Sequence, residues 1–195
     1  LGDVEVVVSN AGAVAPGHLA EISSERLTRE LDLNLVGAHR LVRTFVPAMI
    51  ERQRGDIVFV SSDVAVRPRP FMAGYSAGKW GLEGMVGALQ MELEGTGVRA
   101  SIVRPGPTWS EMGMDWDPEE AAFVLNEWVR FGLARHPHFL KAKAQADAIA
   151  TVVSGEWPAT RSLAPTEWND CRASSATNVP SRSSALVRLL TPSPS

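Results

Sequence analysis

The run Gly55-Asp-Ile-Val-Phe-Val-Ser-Ser62, followed after a proline- and arginine-rich loop by Tyr75-Ser-Ala-Gly-Lys79, decides how this chain folds. Ile57 to Val60 form an unbroken apolar run of strand length, closed by two serines, and such a run reads as a strand buried on both faces. The next segment carries Tyr75, Lys79, Leu82, Met85, Val86, Leu89 and Leu93 at helical spacing, and Gly95 and Gly97 close it. Residues 98–103 repeat the strand pattern and stop at Pro105-Gly106-Pro107. Strand, crossover helix, strand is the grammar of a parallel α/β sheet.

The same grammar extends upstream. Residues 4–8 are a short apolar run ending in Ser9-Asn10-Ala11-Gly12, which reads as a strand buried on both faces rather than an alternating edge strand. From Ser24, the residues Leu27, Leu31, Leu35, Ala38, Leu41, Val42, Phe45, Val46 and Met49 recur at helical spacing. A break or bend is expected near Asp32 to Leu35, and Pro47 suggests a kink or a final turn. Three strand ends, at Asn10 to Gly12, Ser61 to Ser62 and Pro105 to Thr108, then share the carboxyl edge of one sheet. Ligands of open α/β sheets bind at that edge.

Downstream, Asp117 is a helix cap, Pro118 suits the first helical position, and Glu120 completes a capping box. A further amphipathic helix covers about residues 144–153. The expected organisation is a partial catalytic domain over residues 1–153 and a low-order tail over 154–195. In that tail proline, serine, threonine, alanine and arginine replace any apolar period. A shifted reading frame or altered terminus is a second origin for it, which the nucleotide sequence would settle.

The 195 residues are enough for one sizeable core, and 45% hydrophobic with 21% charged residues is ordinary for a globular chain. A net charge of -3 offers no reason to expect nucleic acid as a partner. No run is long and apolar enough for a bilayer span, and the non-methionine N-terminus carries no visible targeting signal. The single cysteine, Cys171, fits a reducing compartment, so a cytoplasmic setting is expected. His136 and His138 lack a third ligand, so no metal site is expected.

Tyr75 is the only tyrosine, and Lys79 follows it by one helical turn. A phenol is a poor base at neutral pH, and a nearby ammonium is expected to lower its pKa and ready it for proton exchange with an alcohol or carbonyl. Ser62, at the end of the preceding strand, has a hydroxyl that can donate to a carbonyl oxygen. Spacing alone also fits a solvated helix face, and Asn34 alone fits an ordinary polar helix residue.

Taken together, Ser-Asn-Ala-Gly at 9–12, Asn34 in Leu-Asn-Leu-Val-Gly, Ser62, Tyr-Ser-Ala-Gly-Lys at 75–79 and Arg-Pro-Gly-Pro-Thr at 104–108 resemble the classical short-chain dehydrogenase/reductase family. The resemblance covers about residues 1–153. It implies a partial Rossmann-like, doubly wound parallel sheet in three α/β/α layers, with strands corresponding to the family's fourth to sixth. It also implies a catalytic tetrad of Asn34, Ser62, Tyr75 and Lys79. Tyr75 would be the general acid in reduction and the general base in oxidation, and Ser62 would orient the reacting C–O bond. Lys79 would hold the ribose and depress the Tyr75 pKa, while Asn34, at a helix bend, would hold a water in a relay with Lys79.

The implied cofactor is NAD or NADP, bordered by Asn10, Ala11, Gly12, Tyr75, Lys79, Pro105, Gly106, Thr108 and Ser110. The family usually has threonine where Ser110 falls. The implied substrate is a small secondary alcohol or ketone, with neither nucleic acid nor membrane as partner, and the implied parent protein is a homodimer or homotetramer. The loop 67–73 and the segment 109–131 are where the family builds its substrate pocket. Met72, Met112, Met114, Trp116 and Trp128 are candidates for its wall, Trp128 equally for helix-packing core. No glycine-rich turn precedes Asn10, so the pyrophosphate cradle and the position that selects NAD or NADP are expected to be missing. Cofactor binding by this segment is expected to be impaired. Two other readings compete: a non-catalytic binding or regulatory protein that kept the sheet, and acyl transfer through Ser62. The second lacks a nucleophile elbow and a supporting histidine.

Overall fold

The computed structural model describes residues 3–109, 111–112, 116–133 and 140–154. Ser110, Met114, His136, His138, Cys171 and the tail from residue 155 lie outside the described residues. Three strands, β1 (Val6–Ser9), β2 (Gly55–Val60) and β3 (Val98–Val103), form a parallel sheet in the order β1-β2-β3. Val7 is level with Ile57, and Ile57 with Ala100. Because parallel neighbours need a crossover, each connection carries a helix. The first is α1 (Ser24–Leu31) continuing into α2 (Gly37–Glu51), and the second is α3 (Ala73–Glu92).

The pleat sends alternate side chains to opposite faces. Ile57, Phe59, Ala100 and Ile102 pack with Val46 and Met49 of α2 and with Leu82, Val86 and Leu89 of α3. Val58 and Val103 face the other way, onto Ala148 and Val152 of α5 (Ala142–Ser154). The architecture is therefore three layers, α/β/α.

One strand departs from expectation. β1 alternates: Val7 and Ser9 are buried, whereas Val6 and Val8 are 39% and 40% exposed. Helix α2 covers one face of β1, but α5 sits over β2 and β3, so the second face of β1 has no comparable cover among the described residues.

The predicted bend near Asp32 is a five-residue π-helical segment, Asp32–Val36, inserted between α1 and α2, with the Gly37 amide donating to the Asp32 carbonyl. Pro47 is accommodated inside α2, which continues to Glu51. Helix α4 (Pro118–Arg130) starts as its capping signals predict, with the Asp117 carboxylate accepting from the amides of Glu119 and Glu120. A pair of two-residue parallel strands, β4 (Thr108–Trp109) and β5 (Leu140–Lys141), follows β3 and precedes α5. Their brevity leaves too little pattern for a sequence to reveal them.

Two glycines of this region respond oppositely to a methyl group. Gly97 has φ +79°, and a side chain there would collide with the Gln53 carbonyl. Gly84, in the middle of α3, is exposed and has nothing in reach. Gly97→Ala is expected to cost about 1–3 kcal/mol. Gly84→Ala is expected to gain about 0.5–1 kcal/mol through helix propensity. Urea denaturation midpoints of the two variants check this pair of opposite signs.

Candidate active site

The site assembles where α3 crosses α1 and the π-helical segment. A methyl group on Gly78 would stand 3.0 Å from Cβ of Asn34, and one on Gly81 would stand 2.9 Å from Leu35. The bare backbone of α3 thus lets Asn34 reach the helix turn that carries Tyr75 and Lys79. Asn34 is 2% exposed; its Nδ2 donates to the carbonyls of Ala13 (2.8 Å) and Glu30 (2.9 Å). The first bond pins the loop after β1 to the helix, and the second closes over the π-helical irregularity. Its Oδ1 is buried without a protein partner.

Lys79 is 4% exposed, and its Nζ donates to the Val60 carbonyl at 2.8 Å. It also lies 5.6 Å from the centroid of the Tyr75 ring. Burial pushes its pKa down to about 8. Tyr75, itself buried, packs among Val64, Met72, Val124 and Trp128, and the Ser62 hydroxyl lies near enough to its phenol to ease its ionisation. Asn34, Ser62, Tyr75 and Lys79 therefore meet in one corner at the carboxyl edge of the sheet.

The expected depression of the Tyr75 pKa does not hold. Burial raises it above the ordinary phenol value; the nearby Ser62 hydroxyl works against that, Asp63 adds to it and Arg69 opposes it. The lysine that was expected to lower it is committed to Val60 and lies against the ring, so desolvation dominates.

The strand-end residues share this edge but differ in exposure. Gly12 is half-buried, and a methyl group on it would stand 2.8 Å from Asn34 Oδ1 and 3.5 Å from Lys79 Nζ. Ala11 is exposed, and so is Asn10, whose Oδ1 accepts from Gln145 Nε2 of α5. Pro105 and Gly106 are half-buried; the Pro105 carbonyl accepts from the Asp63 amide, and the Thr108 hydroxyl donates to the Gly106 carbonyl.

Of the proposed pocket wall, Met72 and Trp128 are packing core beside Tyr75. Trp116 donates its indole N–H to Val14, and Met112 is 46% exposed. A separate cleft of about 210 Å³ is lined by Pro16, Gly17, His18, Phe71, Phe123 and Val124, together with Glu120. Phe71 adopts φ +65° there, and its ring meets His18 edge-on at 4.7 Å and Phe123 at 5.1 Å.

Sequence reasoning missed two ion pairs. Arg69 grips Asp63 through both nitrogens, beside Ser62. Arg104, at the end of β3, grips Glu83 of α3, whose Oε1 also accepts from Ser61 Oγ at 2.8 Å. Glu83 stands four residues after Lys79 on one helix face, the only signal for the second pair that the sequence carries.

Residues 1–121 match the family model for short chain dehydrogenases. The chain belongs to that family. It is 32% identical over 111 residues to an oxidoreductase of Bacillus subtilis, covering 57% of this chain and 42% of that protein. It is 36% identical over 110 residues to bovine retinol dehydrogenase 8, covering 56% and 35%. Among solved structures, a short chain dehydrogenase/reductase family oxidoreductase from Burkholderia thailandensis superposes with a TM-score of 0.62 at 29% identity, over 77% of this chain and 57% of that one. A Beutenbergia cavernae protein described as an NAD(P)-dependent gluconate 5-dehydrogenase, with NADP bound at low occupancy, gives 0.66 at 28% identity over 76% and 58%. The chain thus spans roughly 40% of the first of these relatives and less than 60% of the solved structures. Among the described residues no cluster of potential metal ligands occurs and no helix is long and apolar enough to cross a membrane.

The lowered Lys79 pKa has a measurable consequence. Lysine in the unfolded chain titrates near 10.5 and in the folded chain near 8, so between those values the unfolded state binds more protons. Stability from this group is fully present above the unfolded value and is lost as pH falls through about 8. The span is on the order of 3 kcal/mol. Lys79→Met removes this slope, so the difference in unfolding free energy between wild type and variant, measured by denaturant titration from pH 7 to 10, is expected to grow with pH in favour of the wild type.

Proposed function

We propose that this chain carries the proton-transfer centre of a nicotinamide-dependent oxidoreductase that interconverts a secondary alcohol and a ketone. The observation that supports it most is the convergence of Ser62, Tyr75, Lys79 and Asn34 at one sheet edge, each buried and drawn from three separate parts of the chain: the π-helical segment, the end of β2 and α3. No packing rule requires a buried lysine, a buried asparagine with an open acceptor, and a buried tyrosine beside a serine in the same corner.

The residues present fit a hydroxyl-rich, planar cofactor such as NAD or NADP. Asn34 Oδ1 is a buried acceptor with no protein partner, Lys79 has donors beyond the one given to Val60, and Gly12 leaves the space above both open. Lys79 would hold ribose hydroxyls there; Asn10, Ala11 and Gly12 would border the adenosine side; Pro105, Gly106, Thr108 and Ser110 would border the nicotinamide. The nicotinamide, when bound, supplies or accepts the hydride.

The chain's own residues handle the proton. In reduction, Tyr75 donates its phenolic proton to the carbonyl oxygen as that oxygen gains charge; in oxidation the phenolate takes the alcohol proton. Ser62, beside the phenol, holds the substrate oxygen next to it. Lys79 holds the ribose and lies against the phenol ring, and Asn34 keeps the loop at Ala13 and the helix at Glu30 in register, with its open acceptor turned to a relay water. A cytoplasmic setting and a homodimeric or homotetrameric parent protein complete the reading.

Tyr75→Phe keeps the ring packing and removes the proton. In a protein carrying this sequence it is expected to lower kcat by about 10²–10⁴-fold while leaving nicotinamide binding near its starting value. Steady-state turnover of secondary alcohols, followed by nicotinamide absorbance, tests this; unchanged turnover in the variant sinks the proposal.

A further inference from the structure

Ser62 has one hydroxyl proton and two claimants for it. On one side is the Tyr75 oxygen. On the other is Asp63 Oδ1, to which the Ser62 hydroxyl donates at 3.3 Å. A carboxylate is an acceptor only, so this bond runs in one direction. The Val64 amide donates to Ser62 Oγ, which leaves that oxygen as a receiver on its remaining side. With its proton on Asp63, Ser62 offers the neighbouring Tyr75 only an acceptor lone pair in the resting site.

Asp63 is itself held. Arg69 donates Nη1 to Oδ1 at 3.1 Å and Nη2 to Oδ2 at 2.5 Å, a two-pronged pairing that fixes the plane of the carboxylate. The side chains are 8% and 20% exposed, so water screens the pair weakly. The Arg69 guanidinium also lies 5.0 Å from the centroid of the Trp128 ring, and the Trp128 indole N–H donates to Pro70. The backbone amide of Asp63 donates to Pro105. Both ends of the pair are therefore anchored to the walls of the site.

We propose that Asp63 and Arg69 act as a positioning dyad that sets the direction of the Ser62 hydroxyl, and through it how readily Tyr75 releases its proton. The proposal rests on the oxidoreductase reading for its biological use, though not for its test. When Tyr75 ionises, the Ser62 proton has to swing from Asp63 to the phenolate. Asp63 resists that swing, and Arg69 weakens the resistance by drawing off carboxylate charge. The other charged groups near the phenol are Lys79, against its ring, and Glu30, whose carboxylate abuts Gly74 one residue before it. Neither touches Ser62 in a hydrogen bond of the structure. Ser62 is thus presented as an acceptor, matched to the O–H of an alcohol. A ketone oxygen has to win the serine proton from Asp63 before it is polarised.

The single tyrosine makes this directly readable, because tyrosinate absorbance in the near ultraviolet reports Tyr75 alone and the six tryptophans do not ionise. In the full chain, Asp63→Asn is expected to lower the titration midpoint by about one unit, and Arg69→Gln to raise it by a similar amount. Arg69→Lys keeps the charge and is expected to stay near the wild type. In a Ser62→Ala background the effect of Asp63→Asn is expected to fall to half or less. Midpoints that do not move, that move in the same direction for both removals, or that move equally with and without Ser62 overturn the proposal. Circular dichroism at each pH identifies any variant that has unfolded. If Arg69→Gln fails to fold, the Asp63→Asn shift and its dependence on Ser62 decide alone. No turnover is needed: opposite shifts in a chain that oxidises no alcohol would keep the dyad and remove the oxidoreductase reading.

Discussion

The closeness of α3 to the α1–π–α2 helix governs everything at this site. Two helices usually pack with their axes 8–10 Å apart, set by the side chains between them. Here Gly74, Gly78 and Gly81 line one stripe of α3, and the residues that fill the gap are Glu30, Asn34 and Leu35. Gly78 leaves room for Asn34 beside the turn that bears Lys79, where a methyl group would stand 3.0 Å from Asn34 Cβ and crowd it. Asn34 lies within the π-helical segment, and from there its Nδ2 reaches the Glu30 carbonyl. The corner that gathers Asn34, Tyr75 and Lys79 is thus a packing result before it is a chemical one.

Much of this was legible in the chain. The apolar runs at Ile57–Val60 and Val98–Val103 and the 3.6 period between them define a parallel α/β unit, because those periods belong to different backbone geometries. The bend near Asp32 was legible too, since the apolar stripe slips there. The alternation of β1 was not: Val-Val-Val reads as buried on both faces, and whether a second layer covers it depends on where α5 lands, which no local pattern encodes. β4 and β5 left no trace because two residues cannot express a period.

At the site, the residue types were legible and their electrostatics were not. Tyr75 and Lys79 announce themselves by i, i+4 spacing, which suggests an ammonium beside a phenolate oxygen. Side-chain length and burial decide otherwise, placing Lys79 Nζ on the Val60 carbonyl and against the ring face. The Asp63–Arg69 and Glu83–Arg104 pairs were invisible for a related reason. Their partners lie 6 and 21 residues apart, and surface arginines and carboxylates of that kind are common in any sequence.

Those pairs bear on what the corner can bind. A buried ion pair is costly to desolvate and adds little net stability, so its presence is better explained by what it fixes. Asp63–Arg69 and Glu83–Arg104 each neutralise themselves, and they brace the ends of β2 and β3 and the start of the loop after each. Of the other buried charges at this corner, Glu30 has Arg26 at 4.0 Å, whereas no carboxylate pairs with Lys79 among the described residues. Its pKa near 8 records the cost of holding that cation without a counter-charge. Any group that brings negative charge or hydroxyl acceptors to Lys79 relieves that cost, and ionisation of Tyr75 is one way to bring it. The fold therefore leaves one cation under-compensated beside the Tyr75 ring, and neutralises the charges on either side of it.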